Sequence, residues 1–384
     1  MQRQYVLYSI VYFIQGCLGL LGVALPFFLK DILLLSTAQV AYILALASTP
    51  WVIKPLYGMV SDYFPLFGQR RRPYIIIAAL LSSLGWLFIA EVQSFWVLVL
   101  GQLLANVGFA VVDVVTDGFA VEHSTRKNRG FIQSLSWGMR AFGATLSGFL
   151  GGWLIGVIGY QNIFRVVAFL PLLVVFVVWT MKEKKFARKA GLWQHMTWTI
   201  RSLFKNTQYW LVALFGFLFF VTPSISIPFL FYMRDTLGFS NTTIGILVSV
   251  ASFGSVVGAV VYSKFLDRVA VRTLLCWMVL ASAVFSFAIF FIKSELSAYT
   301  VYFLLGVVSY LAFIPTMKIA ARVSPKAFEA TSFALLMSII NLASGVLSQS
   351  LGGWLFSVLG IAPVIVIGAV TNLLALPVVR LLRD

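Results

Sequence analysis

Apolar residues run in long blocks along this chain, at about 5–29, 38–60, 73–90, 95–121, 131–157, 163–181, 208–233, 242–264, 273–292, 297–321, 331–357 and 361–382. A helix needs roughly 20 residues to cross a bilayer, so each block is one span's length. No block alternates strictly between apolar and polar residues, which argues against barrel strands. The pattern predicts an all-α membrane protein of twelve transmembrane helices. The first block is too long for a signal sequence core and no small-x-small site follows it, so it reads as a retained span.

Composition supports this. Of 384 residues, 61% are hydrophobic and 10% charged, against about 25% charged in a soluble domain. A soluble enzyme and a disordered chain are excluded. The net charge of +16 would suggest nucleic acid in a soluble protein. Here the basic residues sit in short loops, where they report topology. With the N-terminus inside, 21 of the 28 Lys and Arg fall in inside segments and only Lys30, Arg234 and Lys293 outside. Both termini are therefore expected in the cytoplasm, in a monomer embedded in the cytoplasmic membrane with no nucleic-acid partner. Cys17 and Cys276 both lie in apolar blocks and read as free thiols. The most basic loop, 182–206, spaces Leu192, Trp193, Met196, Ile200 and Leu203 as one helix face among Lys and Arg. It predicts an amphipathic helix on the membrane surface between an N-terminal six-helix bundle, 1–181, and a C-terminal one, 207–384.

The halves repeat. Gly151-Gly152-Trp153-Leu154 recurs as Gly352-Gly353-Trp354-Leu355, and Asp62 before Arg70, Arg71 and Arg72 recurs as Asp267 before Arg268 and Arg272. Six plus six helices in parallel repeats is the arrangement of the major facilitator superfamily. The loop carrying Gly58, Asp62, Gly68 and Arg70–Arg72 also resembles that superfamily's signature. Its acid and bases, with Glu122, Arg129, Asp267, Arg268 and Arg322, form a candidate cytoplasmic gate. The alternative is that these basic loops only fix topology.

Charges at membrane depth normally face a cavity or a partner. Gln102, Asn106, Asp113 and Asp117 are spaced by 4, 7 and 4 residues and share one helix face. Adding 205 to 113 and 117 lands on Lys318 and Arg322, so acids in one half map onto bases in the other. Asp117 and Arg322 lie near the cytoplasmic ends. Lys54 and Arg140 lie roughly 10–15 Å above the cytoplasmic ends of their spans, near the level of Asp113. These groups either bind substrate and a coupling proton or weld helices together. Tyr8, Tyr12 and Gln15 on span 1, and Gln133 and Trp137 on span 5, extend the polar lining, although an aromatic stripe also suits core packing. Thr222–Pro228 holds two prolines and predicts a break in span 7.

Several strings resemble the folate–biopterin transporter family of the major facilitator superfamily. They are Val11-Tyr12-Phe13-Ile14-Gln15-Gly16, Phe27-Phe28-Leu29-Lys30-Asp31, Lys54-Pro55-Leu56-Tyr57-Gly58 with Ser61-Asp62, Asp113-Val114-Val115-Thr116-Asp117 with Glu122, and Gln133 through Gly143. The resemblance is dense over 11–143. It implies proton-coupled symport of folates or pterins into the cell. Asp113 can accept the paired N–H donors of a pterin, Trp137 or Tyr12 can stack on its ring, and Arg140 with Lys54 or Lys318 can hold glutamyl carboxylates. Each anionic charge brought into a negative-inside cell costs about 2.3 kcal/mol per 100 mV, so uptake needs a cation. Asp113 or Asp117 can carry that proton.

Two other readings follow from the same residues. Some relatives carry other metabolites, including S-adenosylmethionine. Asp113-x-x-x-Asp117 is also similar to the acidic motif of magnesium-dependent prenyltransferases, but a second acidic motif is missing where Lys318 and Arg322 stand. No cofactor or metal site is expected. His123 and His195 read as solvated loop residues.

Overall fold

The structure, a computed structural model, describes residues 2–92, 94–123, 129–183, 185, 191, 194, 197, 201, 203–266, 268–325 and 329–382. Apart from one isolated bridge between Leu66 and Gln69, the regular structure among them is helical. Ten helices among the described residues are long and apolar enough to cross a membrane.

The expected break in span 7 is present. One helix runs Thr207–Phe220 and the next starts at Ser226. Groups freed between them find partners: Ser224 N–H donates to Ser348 O at 2.9 Å, and Thr222 Oγ1 donates to Asn372 Oδ1 at 3.0 Å. The first half has a milder version, a 3₁₀ turn at Leu18–Leu20 between helices Gln2–Cys17 and Leu21–Asp31.

The repeat is visible in the backbone. A Cβ on Gly151 would sit 3.1 Å from Leu20 O, and one on Gly352 would sit 1.8 Å from Ser224 O. The first glycine of each repeated pair thus lies against the interruption of its half's first helix. Eight residues past each, Gly159 (φ 73°, ψ 170°) and Gly360 (φ 76°, ψ −172°) turn the chain. Positive φ of this kind is open to glycine and strained for other residues. Gly159 interrupts the long helix Arg129–Trp179; Gly360 separates Ser348–Leu359 from Ile361–Leu373.

Two compact units are present, one of residues 1–28 and 53–195, the other of 29–52 and 196–384. In the first, Gln2–Cys17 packs on Arg129–Trp179, and Arg72–Ala90 packs on Phe95–His123. Small residues set the spacing, as is common between membrane helices. A Cβ on Gly143 would lie 2.3 Å from Phe13 O, and one on Gly16 would lie 2.2 Å from Arg140 O. Gly143→Val should therefore force these helices apart, at a cost of about 1–3 kcal/mol or more. The expected readout is a severalfold loss of monodisperse protein on size-exclusion chromatography, with Gly138→Ala, which meets nothing within 4 Å, as the tolerated control.

In the second unit Asn241–Val261 packs on Glu295–Val323, and Thr37–Ala47 lies on Ser348–Leu359. Asn341 Nδ2 donates to Trp51 O at 3.1 Å. Leu203 is buried beside Tyr209 and Val212. The other apolar positions of the expected amphipathic helix, Leu192, Trp193, Met196 and Ile200, lie outside the described residues, as does His195.

Candidate functional site

The helix Phe95–His123 is unbroken for 29 residues, so the 4, 7, 4 spacing of its polar residues becomes a real stripe. Asp113, only 3% exposed, is the centre. Lys54 forms a salt bridge with its Oδ2, and Gln15 Nε2 donates to its Oδ1 at 3.0 Å. Lys54 stands at the start of the helix Lys54–Tyr63, where Pro55 fits the first turn because that turn needs no N–H. One turn along the stripe, Asp117 Oδ1 accepts the Tyr12 hydroxyl at 2.7 Å.

The Tyr12 and Trp137 rings lie 6.3 Å apart, and the Arg140 guanidinium sits 5.0 Å over the Trp137 ring. The close approach of Gly16 to the Arg140 backbone brings this residue beside Gln15. Lys54 is thus the cation of Asp113, and Arg140, half-buried, is placed on an aromatic face. Among the described residues Arg140 takes part in no salt bridge. Above them Asn106 Nδ2 donates to Gln102 O at 2.9 Å, closing the stripe on itself. Tyr8 is buried and reaches Phe119 O at 3.4 Å, a packing role. The side chain of Gln133 lies outside the described residues.

The set offers an ion pair, a second carboxylate held by a neutral hydroxyl, an arginine on an indole, and an amide. It suits a flat, polar, anionic ligand. Among the described residues no group of three or more His, Cys, Asp or Glu converges as a metal site would require.

The basic loop forms a second cluster in the same unit. Glu122 Oε1 accepts Arg70 Nη2 at 3.0 Å and Arg71 Nη2 at 2.6 Å. Arg71 Nη2 also reaches Asp62 at 2.6 Å, and its Nη1 donates to Ser61 at 2.9 Å. Gly118 makes room, since a Cβ there would lie 2.8 Å from the Arg71 guanidinium. Arg72 Nη2 donates to Trp179 O at 3.0 Å. Asp62, Arg70, Arg71 and Glu122 are thus brought together. Arg268 and Arg322 are exposed in the second unit; Asp267 and the Arg129 side chain lie outside the described residues. Lys318 Nζ lies 6.0 Å from the Tyr262 ring centroid.

Sequence reasoning missed Glu183. Its carboxylate accepts the backbone N–H groups of Arg70 at 2.9 Å, Arg71 at 3.0 Å and Arg72 at 2.8 Å. The only signal was one acid inside the run Lys182-Glu183-Lys184-Lys185, too slight to separate from loop charge. Glu183→Gln should weaken three charge-assisted bonds, each worth about 1.5–3 kcal/mol. Limited trypsin digestion after Arg70 and Arg71 should then speed up severalfold, and an unchanged rate would deny Glu183 this role.

The chain also resembles known proteins. The model of the BT1 family matches residues 15–384. The folate-biopterin transporter of Synechocystis sp. is 33% identical over 97% of this chain and 80% of its own length. Folate transporter 1 of Plasmodium falciparum is 24% identical over 88% of this chain and 69% of its own. Among solved structures, a D-xylose-proton symporter superposes with a TM-score of 0.78 at 14% identity, covering 100% of this chain and 98% of its own. The chain belongs to the BT1 family: it is a multi-pass membrane transporter rather than an enzyme, one of the folate–biopterin transporters with the major facilitator fold.

Proposed function

We propose that this protein imports folates or pterins across the cytoplasmic membrane by alternating access, coupled to protons, as a monomer. On this reading the chain crosses twelve times, with 129–179 divided at Gly159 and Thr207–Phe220 joined to Ser226–Asp235 across the break, and both termini are inside. Residues 1–181 and 207–384 are then the two rocking bundles. Asp62, Arg70, Arg71 and Glu122, with Arg72 beside them, form the cytoplasmic gate of the first unit.

The observation that carries this reading is Arg140 on Trp137, next to Tyr12 and Asp117, with no carboxylate salt-bridged to it among the described residues. A guanidinium at membrane depth without an acid suits an incoming anion, and bidentate pairing with a carboxylate is its strongest option. Trp137 and Tyr12 supply aromatic surface for a pterin ring. Asp113 takes the pterin's N–H edge in exchange for Gln15, while Asn106 extends the polar lining. Asp117 carries the proton, because its partner is a neutral hydroxyl and protonation breaks no ion pair. The relatives' names favour folates and pterins over S-adenosylmethionine.

The test is uptake into proteoliposomes of folic acid, 5-formyltetrahydrofolate, biopterin and S-adenosylmethionine. Accumulation of a folate or pterin under an inward proton gradient, lost on adding a protonophore and indifferent to sodium, is expected. Accumulation of S-adenosylmethionine alone overturns the substrate assignment. Persistence with the protonophore overturns the coupling.

A further inference from the structure

In the second unit the helix Thr207–Phe220 packs on Glu329–Asn341. A cavity of about 250 Å³ lies where they meet, with Leu203, Leu335, Ile339 and Leu342 among its walls. The two hydroxyls that border it are already bonded. Tyr209 OH donates to Ser332 O at 2.8 Å, and Ser338 Oγ donates to Ala334 O at 3.0 Å. The cavity therefore calls for no polar partner. A water takes up about 30 Å³ of liquid and is not held where nothing bonds it, so this space suits hydrocarbon.

An aromatic pair forms its rim. Phe204, 68% exposed, stacks on Trp210 with ring centroids 5.3 Å apart. Trp210 Nε1 donates to Leu203 O at 3.1 Å, and the residue stays 38% exposed. Such rings sit at the headgroup level of a bilayer.

Bases gather at the same end of the bundle. Arg201 and Lys205 flank the rim in sequence. Asn206 Nδ2 donates to Val323 O and Gln208 Nε2 to Leu381 O, both at 3.3 Å, which brings the helix ends carrying Arg322 and Arg380 alongside. All four bases are exposed. The described residues of 201–210, 318–325 and 376–382 include no acid. In the first unit, by contrast, Arg70 and Arg71 face Glu122 and Asp62. The basic end of the second unit is left to an anion from outside the chain.

We propose that this cavity seats an acyl chain of an anionic phospholipid, whose phosphate is held by Arg201 and Lys205 and attracted by Arg322 and Arg380. An apolar slot, an aromatic rim and bases without acids follow the order of chain, interface and headgroup in such a lipid. The slot alone would accept any lipid and the bases alone any anion. Together they select a molecule that has both parts. The site opens to the cytoplasmic leaflet on the topology proposed above and does not depend on the choice of cargo.

The first test is native mass spectrometry of purified full-length protein with phosphatidylglycerol or phosphatidylcholine of the same acyl chains. Phosphatidylglycerol should be retained in preference. Arg201→Gln with Lys205→Gln should lower that preference about fivefold for each charge removed. Ser338→Phe keeps every base and fills the cavity, so it should release both lipids severalfold. Ile339→Trp fills it from another position and serves if Ser338→Phe does not elute as a single species. Glycerol 3-phosphate, the headgroup anion without chains, should displace neither lipid. Equal retention of the two lipids overturns the proposal, as does an unchanged preference in the charge variant. Full retention in the filled variants overturns the slot, and displacement by glycerol 3-phosphate would make the site one for free phosphates.

The second test locates the chain. Phosphatidylglycerol with a diazirine on one acyl chain, in proteoliposomes, should label the peptides of Phe204 and Ile339 severalfold more than that of Val284, a residue 67% exposed in the same unit. Equal labelling at the three would mean ordinary bilayer contact and overturns the site.

Discussion

Asp113→Asn should abolish uptake, by about 100-fold or more, while leaving protein that still inserts and elutes as a single species. The substitution removes the carboxylate that Lys54 faces and leaves a part-buried ammonium without that ion pair. Breaking such a pair costs about 3–5 kcal/mol. Instability alone could mimic this loss, so the informative companion is Asp113→Asn with Lys54→Met. That double variant removes both charges and should recover thermal stability close to the parent, because neutral replacement of a buried pair is often tolerated. If the carboxylate takes part in transport, uptake stays absent in the restored protein. Recovery of uptake together with stability would reduce Asp113 and Lys54 to a weld between helices. Thermal denaturation of purified protein beside proteoliposome uptake separates the two.

Arg140→Gln should raise KM for folic acid about 10- to 100-fold and alter biopterin uptake by less than about threefold. The range follows from losing one hydrogen-bonded charge contact of about 1.5–3 kcal/mol. The contrast arises because folate carries glutamyl carboxylates and biopterin has none. Arg140→Lys should fall between, since an ammonium keeps the charge and loses the planar fork. Equal losses for both ligands would mean that Arg140 only supports Trp137 and the packing beside Gly16. A charge-reversing Arg140→Glu should exaggerate the contrast further.

Much of this is legible in the amino-acid sequence. Apolar block length gave helices, and the 4, 7, 4 spacing brought Asp113 and Asp117 onto one face, because a straight α-helix keeps its period over 29 residues. Two prolines foretold the break near Thr222. Partner choice was harder to read. Lys54, Asp113 and Arg140 share a depth, and depth alone does not say which cation takes the acid. That choice is tertiary: Lys54 is brought to Asp113, while Arg140 sits over Trp137 with its backbone against Gly16. Glu183 was illegible for another reason: a carboxylate that caps a distant loop's N–H groups leaves no periodic mark.

The paired interruptions at Leu18–Leu20 and 221–225 are each seated on a repeated glycine, yet one is wholly apolar and the other carries Thr222 and Ser224. The repeat keeps the glycine behind each interruption while the side chains of the interruption differ. Selectivity in such a machine becomes interchangeable trim on a common chassis, so grafting side chains between equivalent positions of the two halves is a route to new cargo that leaves the joints untouched.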